Sequence, residues 1–220
     1  AVEYTNSCGT VHFVTAEYEE IAIHLLYIDG HVGYALRAVD NNQTTLIVRN
    51  FRHFIDRIDR TKDVAFLEEA WPVMERIVAS YRKGTHHKIG MDSDGLIYAG
   101  GGLDQVTWMD VCVNGILPTP RHGKPVEINA YWYNAFCIMD YFAKETGRDA
   151  KDYKALAEKV KESFVEKFYI EEKRYLRDVI SGTAADEQLR CNQIWAVSMP
   201  FTMLSAEMEA QIVAQVERYL

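Results

Sequence analysis

Apolar residues recur at helical spacing in several segments of the chain, and this pattern constrains the fold more than any other feature. Residues 44–60 and 63–83 each place apolar side chains three or four positions apart, with charged residues between them. The same spacing returns at 126–144 and at 149–168. It is the period of an amphipathic helix that turns one face toward a core. The sequence therefore predicts a substantial helix in each of these four segments.

Weaker signals complete the predicted element order. Pro72 is expected to bend the second helix or to mark its restart. A short helix is predicted at 192–199, another after Ser205, and an earlier one near 15–28. Extended structure is indicated only at 175–180. Six or seven helices without an intervening sheet predict an all-α fold, in which residues 1–220 form a single domain or part of one.

The composition excludes several functional classes. The chain is 48% hydrophobic and 12% aromatic, which predicts a packed core, and its formal net charge is −8. Nucleic-acid binding is not expected, because no basic stripe is present to neutralise phosphates. No apolar run approaches the roughly 20 residues that cross a bilayer, so no membrane association is predicted.

The cysteines indicate the compartment. Four of them are scattered along the chain without a CxxC pair, so neither a zinc site nor a disulfide scaffold is expected. The first residues, AVEYTNSCGT, show no signal-peptide pattern. Reduced thiols and a cytoplasmic location are the resulting prediction.

The connection between the predicted second and third helices is unusually long and rich in glycine. It runs from Gly84 to Pro125 and contains eight glycines, together with aromatic residues that are able to pack. Loops beyond about 12–15 residues in compact domains are usually functional or disordered. A packed loop on a helical scaffold is a favoured place for a functional site, so the site is predicted here.

Within this loop, residues 106–110 read VTWMD and end on the carboxylate of Asp110. A carboxyl group beside apolar surface is harder to ionise, so it can retain a proton near neutral pH and act as a general acid. An aspartate in a loop also commonly caps a turn. The residues alone leave both interpretations open.

The loop continues into a longer motif. Residues 107–135 read TWMDVCVNGILPTPRHGKPVEINAYWYNA. This stretch resembles the amylo-α-1,6-glucosidase part of glycogen debranching enzymes, which show a TWMD-like motif and then TPR-x-GKPVEINA-x-WYNA. The resemblance includes YRKGTHHKIGMDSDGLIYAG at 81–100 and RCNQIWAVSMP at 190–200, where Cys191 replaces the proline of an RPNQ-type helix start. It covers roughly residues 61–200.

The resemblance implies an (α/α)6 toroid of paired helices, with the active site at the mouth of the funnel. The implied reaction is hydrolysis of the α-1,6-linked glucose at branch points of glycogen or limit dextrin, with inversion. In such a mechanism one carboxylic acid protonates the leaving oxygen and a second carboxylate activates water, the two lying roughly 6.5–9.5 Å apart. The implied partner is a branched α-glucan or oligosaccharide, and no cofactor is expected.

The same resemblance assigns roles to residues of the central motif. Asp110 would be the general acid, and Trp108 would stack on the apolar face of a sugar. Arg121 and Glu127 would bind hydroxyl groups or orient Asp110. Their alternative role is an Arg–Glu pair that fixes the loop to the following helix.

Further candidates flank this core of the motif. Asn129 and Trp132 follow Glu127, and at least one of them is expected to be structural because the three do not share a helix face. The substrate-binding candidates downstream are Arg190, Asn192 and Gln193, which either cap the short helix or reach the site. Upstream, AVDNNQTTLIV at 38–48 makes Asp40 a candidate glucose-binding aspartate.

The catalytic base is not evident. A complete toroid needs more helices than this chain supplies, and nothing after Pro200 resembles the family's base. Either the chain is part of a domain, which is the preferred interpretation, or Glu127 substitutes for the base.

A non-catalytic carbohydrate-binding module and a glucoamylase- or trehalase-like hydrolase of another linkage are the alternative functions. The apolar faces of a partial toroid are expected to be covered by a second copy or by the remainder of the domain.

Overall fold

The structure is a computed structural model, and it describes residues 64–220 apart from the side chains of Phe66 and Glu69. The elements of this range, in chain order, are α1 (Val64–Lys83), β1 (Gly90–Met91), β2 (Ile97–Tyr98), β3 (Lys124–Pro125), α2 (Val126–Thr146), α3 (Tyr153–Phe168), β4 (Tyr169–Ile170), β5 (Tyr175–Leu176), β6 (Val179–Ser181), β7 (Ala184–Asp186), a 3-10 turn (Cys191–Gln193), α4 (Ile194–Ser198) and α5 (Ala206–Tyr219). The helices predicted before residue 60, and Asp40, lie outside the described residues.

Helix α2 is the centre of the core. Of its 21 residues, 15 are buried, so it is covered on nearly all sides rather than on one face. Helices α1, α3 and α4 all pack against it. The helix ends at Gly147, where a φ of 65° lets the backbone turn and its N–H reaches back to the carbonyl of Lys144.

The other long helices also follow the predicted spacing. In α1 the residues Leu67, Trp71, Met74 and Val78 are buried, and Pro72 lies within one continuous helix rather than at a restart. Helix α3 begins at Tyr153, four residues after the predicted start at 149, because the preceding residues form a turn.

The prediction of an all-α fold is wrong. About half of the described structure is helical, but 13% of it is in strands or bridges, which form three antiparallel sheets. Strand β1 pairs with β2, β4 pairs with β5, and β6 lies between β3 and β7. Each strand has only two or three residues, which is too short to show the alternating pattern of a strand in the sequence. The described range is therefore not built of paired helices alone, as the toroid expectation required.

The pairing of β3 with β6 brings the functional motif against a distant part of the chain. Lys124 pairs with Ile180 and Pro125 with Val179. Gly123 has a φ of 117°, and a Cβ there would lie 2.3 Å from the carbonyl oxygen of Ile180, so only glycine fits at this approach. As a result, Gly123, just before β3, lies against the end of β6, and Val126, at the start of α2, donates a hydrogen bond to the carbonyl of Asp178, just before β6.

The loop between β1 and β2 is fixed to the rest of the fold by charge. The Lys124 ammonium lies 2.7 Å from a carboxylate oxygen of Asp92 and 2.7 Å from one of Asp94, and Lys167 of α3 also pairs with Asp94. The hydrogen bond from Lys124 holds the pKa of Asp92 below its usual value. Burial raises the pKa of Asp94, but the hydrogen bonds from Lys124 and Lys167 bring it below its usual value.

Lys124→Met is expected to lower the free energy of unfolding by about 1–2 kcal/mol at pH 7, because two charge-assisted hydrogen bonds are lost. A carboxylate whose folded pKa is lowered contributes stability above its unfolded value of 3.8, and this contribution disappears as pH falls through the folded pKa. The difference between the two proteins should therefore shrink as pH falls below 3.8. Urea unfolding at pH 7 and at pH 3 measures it.

Lys144→Met is the matched control for this prediction. Lys144 is 61% exposed and pairs with Asp140 four residues earlier on the same helix. Such a pair contributes only about 0.3–0.5 kcal/mol. Equal losses of unfolding free energy in the two variants would contradict a stabilising role for the ion pairs of Lys124 with Asp92 and Asp94. A Lys124→Met deficit that does not change with pH would contradict it as well.

Candidate active site

The carboxyl group of Asp110 closes its own turn. Its two oxygens accept hydrogen bonds from the backbone N–H groups of Val106, at 2.8 Å, and Thr107, at 2.9 Å. The residue is only 1% exposed. This is the geometry of a turn-capping aspartate. To protonate a leaving oxygen, Asp110 would have to expose an oxygen that now faces the backbone.

Trp108, two residues earlier, is the accessible aromatic group of this loop. It is 51% exposed, and its indole Nε1–H donates to Asn192 Oδ1 at 2.9 Å. The hydrogen bond fixes one edge of the ring while much of the remaining surface is open to solvent. An aromatic ring held in this way is suited to contact the apolar face of a pyranose.

Arg121 lies at the centre of a buried charge cluster. Its Nη1 and Nη2 donate to the two carboxylate oxygens of Glu127, the second at 2.7 Å. Its Nε and Nη2 donate to Asp178 at 2.9 and 3.0 Å. All three residues are nearly inaccessible to solvent. One guanidinium therefore joins the start of α2 to the residue before β6, with two forked contacts of the kind that arginine favours.

A second arginine borders this cluster. Arg190 Nε lies 3.2 Å from Asp178 Oδ2, within ion-pair distance but without hydrogen-bond geometry. Its Nη2 donates to Asp186 at 3.1 Å. Arg190 thus places a further positive charge at the edge of the buried carboxylate.

Burial and the charge of Arg121 shift the pKa of Glu127 in opposite directions. Burial raises its pKa, the hydrogen bonds and charge of Arg121 lower it, and the net shift is upward. For Arg121, burial lowers the pKa, but the two carboxylates raise it above its usual value, so the guanidinium stays charged. Because both Glu127 oxygens face Arg121, Glu127 could serve as a base only after leaving this pair.

Asn192 connects the charge cluster to the tryptophan. Its Oδ1 accepts from Trp108, and its Nδ2 donates to Asp178 Oδ1 at 2.7 Å. The same Nδ2 lies 3.4 Å from the sulfur of Met109. Asn192 is 1% exposed, so it reaches the site through Trp108 rather than by facing solvent itself.

Two other predicted substrate contacts bind the protein backbone instead. Asn129 bonds both backbone groups of Ile97 and the carbonyl of Pro125, and it is fully buried. Gln193 accepts from the backbone of Leu176 and donates to the carbonyl of Arg190. In this arrangement the side-chain amides of Asn129 and Gln193 hold strands and turns in place.

Asp178 is a site residue that no sequence motif predicted. It is 2% exposed and binds Arg121 and Asn192, two of the predicted candidates. The available signal was a carboxylate inside the apolar stretch YLRDVI at 175–180, because buried carboxylates are almost always paired. Its partners could not be inferred, since they lie 57 residues earlier and 14 residues later.

Two kinds of feature, a cluster of metal ligands and a membrane-spanning helix, were sought in the part of the chain that is described. Residues 64–220 contain no group of three or more histidine, cysteine or acidic side chains arranged to hold a metal ion. Cys137 and Cys191 are not joined in a disulfide. Across the same range, no helix combines the length and the hydropathy needed to span a bilayer.

Comparisons with known proteins identify the family. A search of curated proteins found no match. Among solved structures, the GH78 family rhamnosidase of Bacillus sp. GL1 matches with a TM-score of 0.57 and 19% identity, over 75% of this chain and 16% of that one. The described fold is thus similar to part of that enzyme, and the chain spans about a sixth of its length. The family model for amylo-alpha-1,6-glucosidase matches residues 46–220, most of the chain. The chain belongs to the amylo-alpha-1,6-glucosidase family.

Proposed function

We propose that the chain contributes to hydrolysis of the α-1,6-linked glucose at branch points of glycogen or limit dextrin. Family membership supports a glycosidase, and the exposed Trp108 beside Asp110 is the observation that supports a sugar site in this loop. Trp108 would hold the terminal glucose by its apolar face. Asp110 would then be the general acid that protonates the bridging oxygen.

The proposed reaction inverts the anomeric carbon and needs a second carboxylate to activate water. Glu127 is a poor candidate for that base, since Arg121 occupies both of its oxygens. We therefore propose that the base lies outside residues 64–220. Asp110 must also turn one oxygen away from the backbone of Val106 or Thr107, so the proposal requires a rearrangement of this turn when substrate binds.

A non-catalytic carbohydrate-binding module is the second candidate function. The burial of Asp110 favours it, because a carboxylate that caps a turn leaves Trp108 as a platform without an adjacent acid. Such a module would bind branched oligosaccharides without hydrolysing them. Turnover therefore separates the two candidates.

The test is glucose release from an α-1,6-glucosyl-branched maltooligosaccharide by the full-length protein, which carries the proposed base, compared with release from linear maltotetraose and from trehalose. The proposal predicts release from the branched substrate alone. Release from maltotetraose or trehalose would instead assign a glucoamylase- or trehalase-like linkage preference. Binding of the branched substrate without release would support the binding module.

Trp108→Ala is expected to weaken binding of the branched maltooligosaccharide about tenfold, because an exposed stacking surface is removed. Isothermal titration measures the dissociation constant. The matched control is Trp195→Ala, since Trp195 is also partly exposed, at 41%, but packs edge-on against Tyr131. Equal weakening in both variants, or no weakening in Trp108→Ala, would remove the evidence for a sugar platform.

The surroundings of the site lead to two further parts of the proposal. The absence of a disulfide at Cys137 and Cys191 fits a reducing compartment, so we place the activity in the cytoplasm. Exposed apolar side chains follow Asp110 in the same loop, at Val111, Val113 and Ile116. Either a second copy of the chain or the remainder of the domain is proposed to cover them. A monodisperse monomer that binds no hydrophobic dye would count against such a cover.

A further inference from the structure

We propose that Asp178 is a positioning residue that sets the orientation of the sugar platform Trp108 through Asn192. The expected effect on sugar binding rests on the proposed carbohydrate function, whereas the effect on the orientation of Trp108 does not. The indole N–H of Trp108 donates to Asn192 rather than to Asp178. The path runs from the indole Nε1 to Asn192 Oδ1, at 2.9 Å, and from Asn192 Nδ2 to Asp178 Oδ1, at 2.7 Å.

The donor and acceptor properties of Trp108 and Asp178 favour one orientation of the Asn192 side-chain amide. The indole N–H can only donate, and an ionised carboxylate can only accept. An asparagine between them satisfies both partners in one orientation, with its NH₂ toward Asp178 and its oxygen toward Trp108. Asp178 therefore selects which edge of the Asn192 amide meets the indole, and the reverse orientation leaves two unfavourable contacts.

Asp178 is itself held firmly enough to act as a reference point. Its backbone N–H donates to the carbonyl of Asp186 at 2.8 Å, and its own carbonyl accepts from Val126, the first residue of α2, at 3.0 Å. Arg121 binds both of its carboxylate oxygens. The tryptophan is thus tied through one amide to the sheet β3–β6–β7 and to the start of the central helix.

The discriminating variant is Asn192→Asp, which keeps the shape of the side chain and still offers an acceptor to the indole. It removes the hydrogen bond that Asn192 Nδ2 donates to Asp178 Oδ1 and places two carboxylates in contact, while the contacts from Arg121 to Asp178 stay in place. If Asp178 orients the platform, Trp108 should loosen even though its own hydrogen-bond partner is still present. If Asp178 plays no part, a charged acceptor should hold the indole at least as well as the amide does.

The double variant Asn192→Asp with Asp178→Asn restores a donor opposite an acceptor and keeps the total charge. We expect it to recover the orientation of Trp108. Asn134→Ala is the matched control for the loss of a buried asparagine. Among residues 64–220, Asn134 bonds the backbone of Ala130 and Phe201, so its replacement should cost stability without affecting the indole.

Two measurements are made on each protein. Hydrogen exchange of the Trp108 indole N–H is followed by ¹⁵N NMR, and the dissociation constant for the α-1,6-glucosyl-branched maltooligosaccharide by titration. In Asn192→Asp we expect the indole to exchange about ten times faster and binding to weaken about tenfold, with both restored in the double variant. Asn134→Ala should leave both unchanged.

Wild-type exchange and affinity in Asn192→Asp would overturn the proposal, and so would a folded double variant that restores neither. If the double variant does not fold, Asn192→Asp alone decides. If the wild-type chain binds no saccharide, the proposed function fails, whereas the indole exchange rates still decide whether Asp178 orients Trp108.

Discussion

Replacing Arg121 by methionine is expected to lower the free energy of unfolding by about 3–5 kcal/mol, the largest stability effect predicted for the described residues. Methionine fills similar volume, so the loss comes from charge rather than from a cavity. The substitution leaves the carboxylates of Glu127 and Asp178 buried without the guanidinium that now binds both. Urea unfolding followed by circular dichroism at 222 nm measures the change.

Arg82→Met is the matched control, because Arg82 also makes a forked pair, with the carboxylate of Asp152 at 3.0 and 2.7 Å. That pair is solvent-exposed, and its loss should cost no more than about 1 kcal/mol. Because both arginines make forked contacts, the difference between the two losses of unfolding free energy measures the effect of burial. Similar losses in the two variants would show that the Arg121 cluster contributes no more than a surface pair.

The Arg121→Met deficit should also depend on pH. Burial raises the pKa of Glu127, and Arg121 opposes this shift, so removing Arg121 raises it further. A carboxyl group whose folded pKa is raised contributes stability below its unfolded value of 4.5 and loses it as pH rises through the folded pKa. The deficit should therefore be smaller at about pH 5 than at pH 7.5. A deficit that is the same at both values would contradict this account of Glu127.

The helical part of the fold was predictable because each long helix records its buried face in its own sequence. The predicted segment 126–144 corresponds to α2, which ends where Gly147 takes the left-handed conformation. Helix α5 begins after Ser205, whose side chain accepts from the backbone of Met208. These are local signals, readable without knowledge of the partner elements.

The sheets and the charge cluster were not predictable, because both depend on contacts between distant residues. Strands β3 and β6 have two and three residues, and what fixes them is their pairing across more than 50 positions. Asp178 has no motif of its own, and its importance appears only when that pairing brings it to Arg121. The alternative Arg–Glu interpretation of Arg121 and Glu127 describes the contact that forms, whereas nothing in the sequence linked the second carboxylate, Asp178, to Arg121.

Asp110→Asn is the second prediction with a large effect, and it addresses the chemistry. If Asp110 is the general acid, glucose release from the branched maltooligosaccharide should fall about 10²–10⁴-fold, since asparagine cannot donate the proton. The substitution also exchanges one carboxylate oxygen for an NH₂ group opposite a backbone N–H, which should cost about 1–3 kcal/mol of stability. A loss of activity alone therefore does not separate catalysis from turn-capping.

α-Glucosyl fluoride resolves this ambiguity, because fluoride leaves without being protonated. A variant that lacks only the acid should retain most of the wild-type rate with this substrate while losing the rate with the branched oligosaccharide. A damaged turn should slow both substrates by a similar factor. Asp104→Asn is the control within the same loop, since Asp104 pairs with His87 and has no proposed part in the reaction. Selective loss in Asp110→Asn would establish that this buried carboxyl group leaves its turn to act as an acid. Parallel loss would instead give Asp110 a structural role and favour a loop that binds sugar through Trp108 without cleaving it.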